Sequence, residues 1–218
     1  HINFWIFSYY HYINCKINHQ AHKRNIGYKF SKGKYVLFID DDCVPDKNFL
    51  YNYYKILKLN QRKCIYTGLV EYVTNKKISN LIKFRQSREK YLDYHAKLKK
   101  NININTFGTM NMAVSKKFTT KESNLFDPRF MTYGFEDYEF AYRYKKNNFN
   151  FNLINSKVYH HDFRNFKDFL KKYTYMGFYG INELEKLNLE AANKNIFYKI
   201  KKNLLIIFFT KFTLILNI

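Results

Sequence analysis

The chain has 218 residues, with 38 lysines and arginines against 17 acidic residues and 46% hydrophobic residues. That length holds one domain with a sizeable core and a small appendage, and leaves no room for two full domains. Two prolines and seven glycines exclude a repeat or linker protein, and Cys15, Cys43 and Cys64, odd in number and without a Cys-x-x-Cys spacing, indicate neither a disulfide framework nor a zinc site.

The net charge of +21 would ordinarily point to nucleic acid or an anionic membrane. The lysines, however, are spread along the whole chain beside abundant Asn, Ile, Phe and Tyr. Codons rich in A and T would produce the same mixture, which weakens the nucleic-acid reading. Reduced thiols fit a cytoplasmic setting. The aromatic stretch from Ile2 to Tyr12 is interrupted by Asn3, Ser8 and His11 and does not read as a signal peptide.

In chain order, Lys34 to Ile39 is the first clear strand, continuously apolar after its lysine and expected to be buried on both faces of a parallel sheet. Asp40-Asp41-Asp42 stands at its exit, where ligands bind in open α/β sheets. Adjacent carboxylates repel unless a cation or hydrogen-bond donors compensate, and oxygen ligands suit Mg²⁺ or Mn²⁺. A solvated, helix-capping turn is the bland alternative. Pro45-Asp46 then signals a helix carrying Phe49, Leu50, Tyr53, Tyr54 and Leu57.

Cys64 to Val73 reads as a second strand with Gly68 in its middle, Ile78 to Lys100 as a helix with a blurred apolar stripe, and Met112-Ala113-Val114 as a further strand. A helix should open at Glu136, because Glu136 and Asp137 suit the positive end of a helix dipole, and close near Asn147-Asn148. Phe149, Phe151 and Leu153 alternate with asparagines, as in a strand with one wet face. Phe166, Phe169, Leu170 and Tyr173 define a last amphipathic helix whose end Gly177 and Gly180 loosen. The apolar tract from Leu204 to Leu216, broken by Lys211 and preceded by Lys199, Lys201 and Lys202, is shorter than the ~20 residues of a span. It reads as an interfacial anchor, as the start of a membrane helix, or as a terminal helix packed on the core.

Four local signals fall in order: Arg24-Asn25-Ile26-Gly27 before the strand; the Asp40-Asp41-Asp42 turn; Gly108 to Val114 followed by Phe126-Asp127-Pro128-Arg129; and Gly134-Phe135-Glu136-Asp137 with Arg143 a turn later and His160-His161 a strand further on. From about Ala21 to Gly180 this series resembles the inverting family-2 glycosyltransferases. The resemblance implies an α/β GT-A fold, a Rossmann-like three-layer α/β/α domain with a mostly parallel sheet over residues 1–180; the helical, apolar segment over 181–218 lies beyond it and, from its own composition, is a candidate for membrane contact. The resemblance also implies transfer of a sugar, with inversion, from a nucleotide-diphosphate sugar to a glycan, lipid-linked or protein acceptor in surface polysaccharide or glycoconjugate synthesis, at the cytoplasmic face of the membrane.

The roles the resemblance implies are specific. Asp40 and Asp42 match the Asp-x-Asp acids, with Asp42 holding Mn²⁺ or Mg²⁺ on the donor diphosphate and Asp40 near the ribose or metal. Asp137 matches the general base and Glu136 a neighbour that orients acceptor or base. His160 matches a further metal ligand or diphosphate contact, and His161 is one residue out of phase. Arg24, Asn25, Asn111 and Arg164 fall to the donor side.

The match departs in two places. The first strand, helix and second strand of the family, with their base-recognising acid, have no counterpart before Arg24, so an amino-terminally incomplete chain is expected. The Gln-x-x-Arg-Trp motif of processive synthases is absent, which points to single transfers. Three other classes stay open: a basic nucleic-acid binder with interleaved Tyr and Lys, a nucleotidyl or phosphoryl transferase, and an inactive remnant of a glycosyltransferase.

Overall fold

The computed structural model describes residues 11–59, 62–73, 83–84, 86–87, 90, 94, 102–119, 124–161 and 165–203. Helix α1 (Gln20–Phe30) buries Ala21, Asn25 and Tyr28, one face at helical spacing. Strand β1 (Tyr35–Ile39) leads into the acidic turn, and a three-residue strand, β2 (Cys43–Pro45), follows immediately. Pro45 therefore closes a strand rather than opening a helix. Helix α2 (Phe49–Leu57) begins four residues later, after a turn in which the Asp46 carboxylate accepts from the Asn48 N–H at 2.9 Å.

Strands β3 (Cys64–Tyr72), β4 (Asn111–Ser115) and β5 (Asn150–His160) complete one sheet with the order β1-β4-β3-β5-β2. A four-residue turn of helix, α3 (Lys116–Thr119), follows β4, and α4 (Glu136–Lys146) precedes β5. The sheet is mixed, not mostly parallel: β3 and β5 run parallel, whereas β1–β4, β3–β4 and β2–β5 are antiparallel. Strand direction depends on pairing partners, which local hydrophobic pattern does not encode. The antiparallel insertion of β4 has a positional consequence, because it sets Asn111 directly opposite Ile39 at the end of β1.

Among the described residues β1 is an edge strand, and the expected double burial is only partial. Val36 is buried and Phe38 leans on one core, Tyr35 and Leu37 lean on the other, and Ile39 is exposed. The two cores give the molecule its three layers. On one face α2 sets Phe49, Tyr53 and Leu57 against Tyr66, Ala113, Ile154 and Val158. On the other, α1 and α4 pack over Ile65, Met112, Val114 and Phe151, with Phe140 stacked between Phe126 at 4.7 Å and Phe107 at 5.7 Å. Strand β5 keeps one wetter face along its length, as expected: Asn150 and Asn155 are exposed and Asn152, Lys157 and Tyr159 half-buried, while Phe151, Leu153, Ile154, Ser156, Val158 and His160 are buried.

The chain ends in α5 (Phe166–Tyr175), a π-helical turn (Met176–Gly180) and three short helices, α6 (Ile181–Leu187), α7 (Leu189–Lys194) and α8 (Ile196–Lys202). Ile181, Leu184, Ala191, Ala192 and Tyr198 are buried in the larger core. Gly180 does not loosen this region: a Cβ there would lie 2.9 Å from the Tyr133 carbonyl oxygen and 3.0 Å from the Phe135 ring, so its bareness permits a close approach. Among the described residues no helix is long and apolar enough to cross a membrane. The tract from Leu204 onward and most of the stretch from Ile78 to Lys100 lie outside the described residues.

Gly68 answers to the same logic. Between Thr67 and Leu69 the pairing with β5 shifts, and a Cβ at Gly68 would fall 2.2 Å from the Ser156 carbonyl oxygen and 2.3 Å from the Asn111 amide nitrogen. Gly68→Ala is expected to cost about 2–3 kcal/mol through overpacking against backbone. Gly27→Ala, in the middle of α1 with nothing within 4 Å of the added carbon, is expected to gain about 0.5–1 kcal/mol from helix propensity. Urea denaturation of the two variants separates these signs.

Candidate active site

The C-terminal ends of β1 and β5, the start of β4 and the start of α4 converge on the acidic turn. Arg24, on α1, reaches this point and bridges two carboxylates, Glu136 at 2.8 Å and Asp40 at 3.4 Å. Its side chain is 13% exposed and that of Glu136 8% exposed, so the pair is shielded from solvent and salt. Burial works against the guanidinium charge, but Glu136 and Asp40 outweigh it and hold Arg24 protonated. Arg24 also lies 5.5 Å from the centre of the Phe126 ring. The Arg24 guanidinium is thus already engaged by protein carboxylates.

Asn25 fixes that arrangement. Its amide donates to the Phe126 carbonyl and accepts from the Phe126 N–H, both at 2.8 Å, and it is 3% exposed. Asn25, expected on the donor side, thus forms a clamp between α1 and Phe126. Arg143 adds a second hold, donating to the Leu125 carbonyl at 2.8 Å while its Nε pairs with Glu139 at 3.0 Å.

Asn111 is also spent internally. Its amide nitrogen donates to the carbonyls of Leu69 at 2.9 Å and Ser156 at 2.8 Å, and its Oδ1 accepts from the Tyr53 hydroxyl at 2.6 Å. At 1% exposure it ties β4, β3, β5 and α2 together. Sequence spacing could not distinguish this from a donor contact, because only burial does.

On the far side of the acidic turn, β2 runs against the end of β5 and pairs Cys43 with His160. This brings Asp42 Oδ2 to 2.9 Å from His160 Nε2. Asp42, Cys43 and His160 each offer a ligand atom within 4.8 Å of the others. His160 is buried, its Nδ1 finds no partner among the described residues, and Tyr72 packs edge-on against its ring at 4.9 Å. His161 follows the end of β5, and its N–H donates to the Asp42 carbonyl at 2.8 Å.

The donor chemistry fits a hard divalent ion at Asp42 and His160, where it would replace the proton that now mediates their contact. Cys43 is a poor third ligand for such an ion, because a soft thiolate matches neither Mg²⁺ nor Mn²⁺. Burial, then the Asp42 and Asp40 carboxylates, push its thiol up to about 12. Asp40, expected beside Asp42, is instead turned toward Arg24, and Asp41 is exposed. Arg164 lies outside the described residues.

Asp137 occupies the first turn of α4, which starts from an unusual backbone. Gly134 has φ 96° and Phe135 φ 69°, so a bulky residue sits in the left-handed region at the helix entrance. No side chain caps α4 from Phe135, and Asp137 Oδ1 itself accepts from the Tyr138 N–H at 2.8 Å. Asp137 keeps some contact with solvent yet is set deep among protein atoms. Burial, then the adjacent Glu136 carboxylate, push its carboxyl up to about 7, against the opposing pull of Arg24 and the backbone N–H groups.

With this geometry in view, comparison with known proteins gives one family. Residues 7–121 match the profile described as Glycosyl transferase family 2. The chain belongs to that family. The three-layer architecture with its mixed sheet is the GT-A fold expected from the sequence. No curated protein matches the chain. Among solved structures, the crystal structure of S. aureus TarS 1–349 is similar at 17% identity and a TM-score of 0.46, over 80% of this chain and 47% of that one. The chain thus spans about half the length of that structure.

Two consequences of the site are measurable. Arg24→Gln strands the Glu136 carboxylate and is expected to lower stability by about 3 kcal/mol. The double variant Arg24→Gln/Glu136→Gln should recover a large part of that loss in urea denaturation, because it leaves no buried charge unpaired. The second consequence concerns pH. A carboxyl raised from about 4 to about 7 makes the folded state bind more protons than the unfolded state across that window, so its contribution to stability is lost as pH rises. Asp137→Asn is therefore expected to gain stability relative to the wild type between about pH 5 and pH 8, read as a widening difference in Tm.

Proposed function

We propose that this family-2 chain transfers a sugar, with inversion, from a nucleotide-diphosphate sugar to an acceptor hydroxyl, with Asp137 as the general base. The observation that carries this reading is the carboxyl of Asp137, raised to about 7, at the start of a helix whose neighbour Glu136 is anchored through Arg24 to the turn after β1. A base with a pKa near the working pH is both deprotonated often enough to act and basic enough to accept the proton.

In this reaction Asp137 takes the proton of the acceptor hydroxyl as that oxygen bonds to the anomeric carbon from the face opposite the diphosphate. The bond from the anomeric carbon to the diphosphate oxygen breaks, and its electron pair leaves with the nucleoside diphosphate. Glu136, pinned by Arg24, orients the acceptor or Asp137. Asp42 and His160 would hold Mn²⁺ or Mg²⁺, which supplies positive charge to the leaving diphosphate. Asp40 sits on the donor side of the Arg24 bridge and is proposed to face the ribose. The acceptor is a glycan, a lipid-linked sugar or a protein in surface polysaccharide or glycoconjugate synthesis, reached from the cytoplasmic side.

Asp137→Asn should reduce kcat by about 10²–10⁴-fold in a nucleoside-diphosphate release assay. Wild-type kcat/KM should rise with pH and level off above an apparent pKa near 7. Asp42→Ala and His160→Ala should each weaken Mn²⁺ binding, measured by titration calorimetry independently of turnover, by about tenfold or more. Undiminished turnover in Asp137→Asn would remove the mechanism.

A further inference from the structure

Helix α5 is amphipathic by sequence yet has no buried residue. Phe166, Leu170 and Tyr173, at i, i+4 and i+7, form one stripe and are 61%, 48% and 48% exposed. The π turn that follows adds Phe178 at 66% and Tyr179 at 58%. These are not scattered apolar residues of the ordinary kind, because with Tyr175 at 44% six fall within fourteen consecutive positions.

The surface continues onto α8. The Asn182 amide donates to the Phe178 carbonyl, and Lys201 of α8 reaches the same Asn182 side chain. Phe197 of α8, itself exposed, lies 6.4 Å from the Phe135 ring, which abuts Gly180. Ile196 and Ile200 are exposed on the same short helix.

Charge decides what this surface suits. Residues 166–180 carry Lys167, Lys171 and Lys172 against the single Asp168, and Lys167 and Lys171 are exposed one turn apart. Helix α8 adds Lys199 and Lys202, both exposed, while Lys201 is paired with Glu185 at 3.2 Å. A second copy of the chain would bring the same lysines and a net charge of +21 against them. An anionic bilayer surface offers the opposite charge, headgroup-level seats for Tyr and Phe rings, and an acyl boundary for Leu170, while lysine stems extend along the apolar face to reach phosphate.

We infer that the exposed aromatic face of α5, the π turn and α8 is a docking surface for an anionic phospholipid bilayer. It adjoins the active site without belonging to it: Met176 of the π turn is packed so closely on Gly134 that a Cβ there would lie 2.9 Å away, and Lys172 sits 4.3 Å from the Tyr133 ring centre. Docking would thus place the bilayer beside the turn that opens the helix bearing Glu136 and Asp137. The surface stands on its own exposure and charge, whatever the acceptor.

Co-sedimentation of the 218-residue chain with phosphatidylcholine vesicles, with and without roughly one third phosphatidylglycerol, tests this. The expected result is binding to the anionic vesicles at least about tenfold tighter than to the neutral ones, weakened by salt. Leu170→Asp, and separately Lys167→Glu/Lys171→Glu, should each reduce that binding by about tenfold with thermal unfolding unchanged. If Leu170→Asp impairs folding, the lysine variant decides alone. Equal partitioning to both vesicles, no sedimentation with either, or binding untouched by the lysine variant overturns the proposal. So does a concentration-dependent dimer that Leu170→Asp dissolves.

Discussion

One buried guanidinium organises the acidic end of this molecule. Asp40 follows β1 and Glu136 opens α4, 96 positions apart by the numbering, and Arg24 holds both. Without a cation between them these carboxylates would repel across a shielded site, where the effective dielectric is low and the interaction correspondingly strong. Arg24 reaches that point because the next residue, Asn25, is bolted to the backbone of Phe126 by two hydrogen bonds. Phe126 in turn stacks on Phe140 of α4 and meets Phe38 of β1 edge-on at 6.0 Å. A dipeptide on α1 therefore supplies the charge with one side chain and its coordinates with the other.

That division explains which parts of the site were legible in the sequence. Strands β1, β3 and β4 and the helix opening at Glu136 follow from local apolar period and helix-start chemistry, and they occur where those signals lie. The encounter of Asp42 with His160 was legible only through resemblance, since it depends on β2 pairing with the far end of β5. Asn25 and Asn111 each hold a structural duty that the sequence did not show, for a common reason. A polar residue within a motif looks like a ligand contact, yet each here satisfies buried backbone groups that would otherwise be left unpaired, at about 1–3 kcal/mol apiece. The mixed sheet was invisible because direction belongs to pairs of strands. Gly68 and Gly180 were legible as glycines but not as points of close approach, since the atoms they admit come from distant segments.

The entrance to α4 shows how backbone and electrostatics combine. Two successive residues with positive φ turn the chain abruptly into the helix, and Phe135 tolerates this conformation while buried against Phe197 and the bare α-carbon of Gly180. The cost of a bulky residue in that region, about 1–3 kcal/mol, is borne by the surrounding packing. What the geometry achieves is a helix terminus without a separate capping side chain. Asp137 accepts a backbone N–H itself, so the dipole lowers its pKa while burial and Glu136 raise it. A remote cap would have left that pull out of the balance; a fully solvated Asp137 would have stayed near the ordinary carboxylate value of about 4.

The charge pattern of the whole chain acquires a meaning from these local facts. Lysines spread evenly through 218 residues do not specify a partner by themselves. Against that background, however, the acids are not evenly placed: Asp40, Asp41, Asp42, Glu136 and Asp137 gather at one end of the sheet. A small cation finds a local negative well there, whereas an approaching nucleoside diphosphate or anionic surface first meets the basic exterior. Beyond a Debye length of about 8 Å at physiological salt the two signs are largely independent, so a basic exterior and a local acidic cluster coexist in one protein. Arg24 stands at the boundary between these regimes. Its charge cancels enough of the acidic cluster to let the chain fold around it, and leaves Asp42 and Asp137, neither of them its direct partner, as the carboxylates available for chemistry.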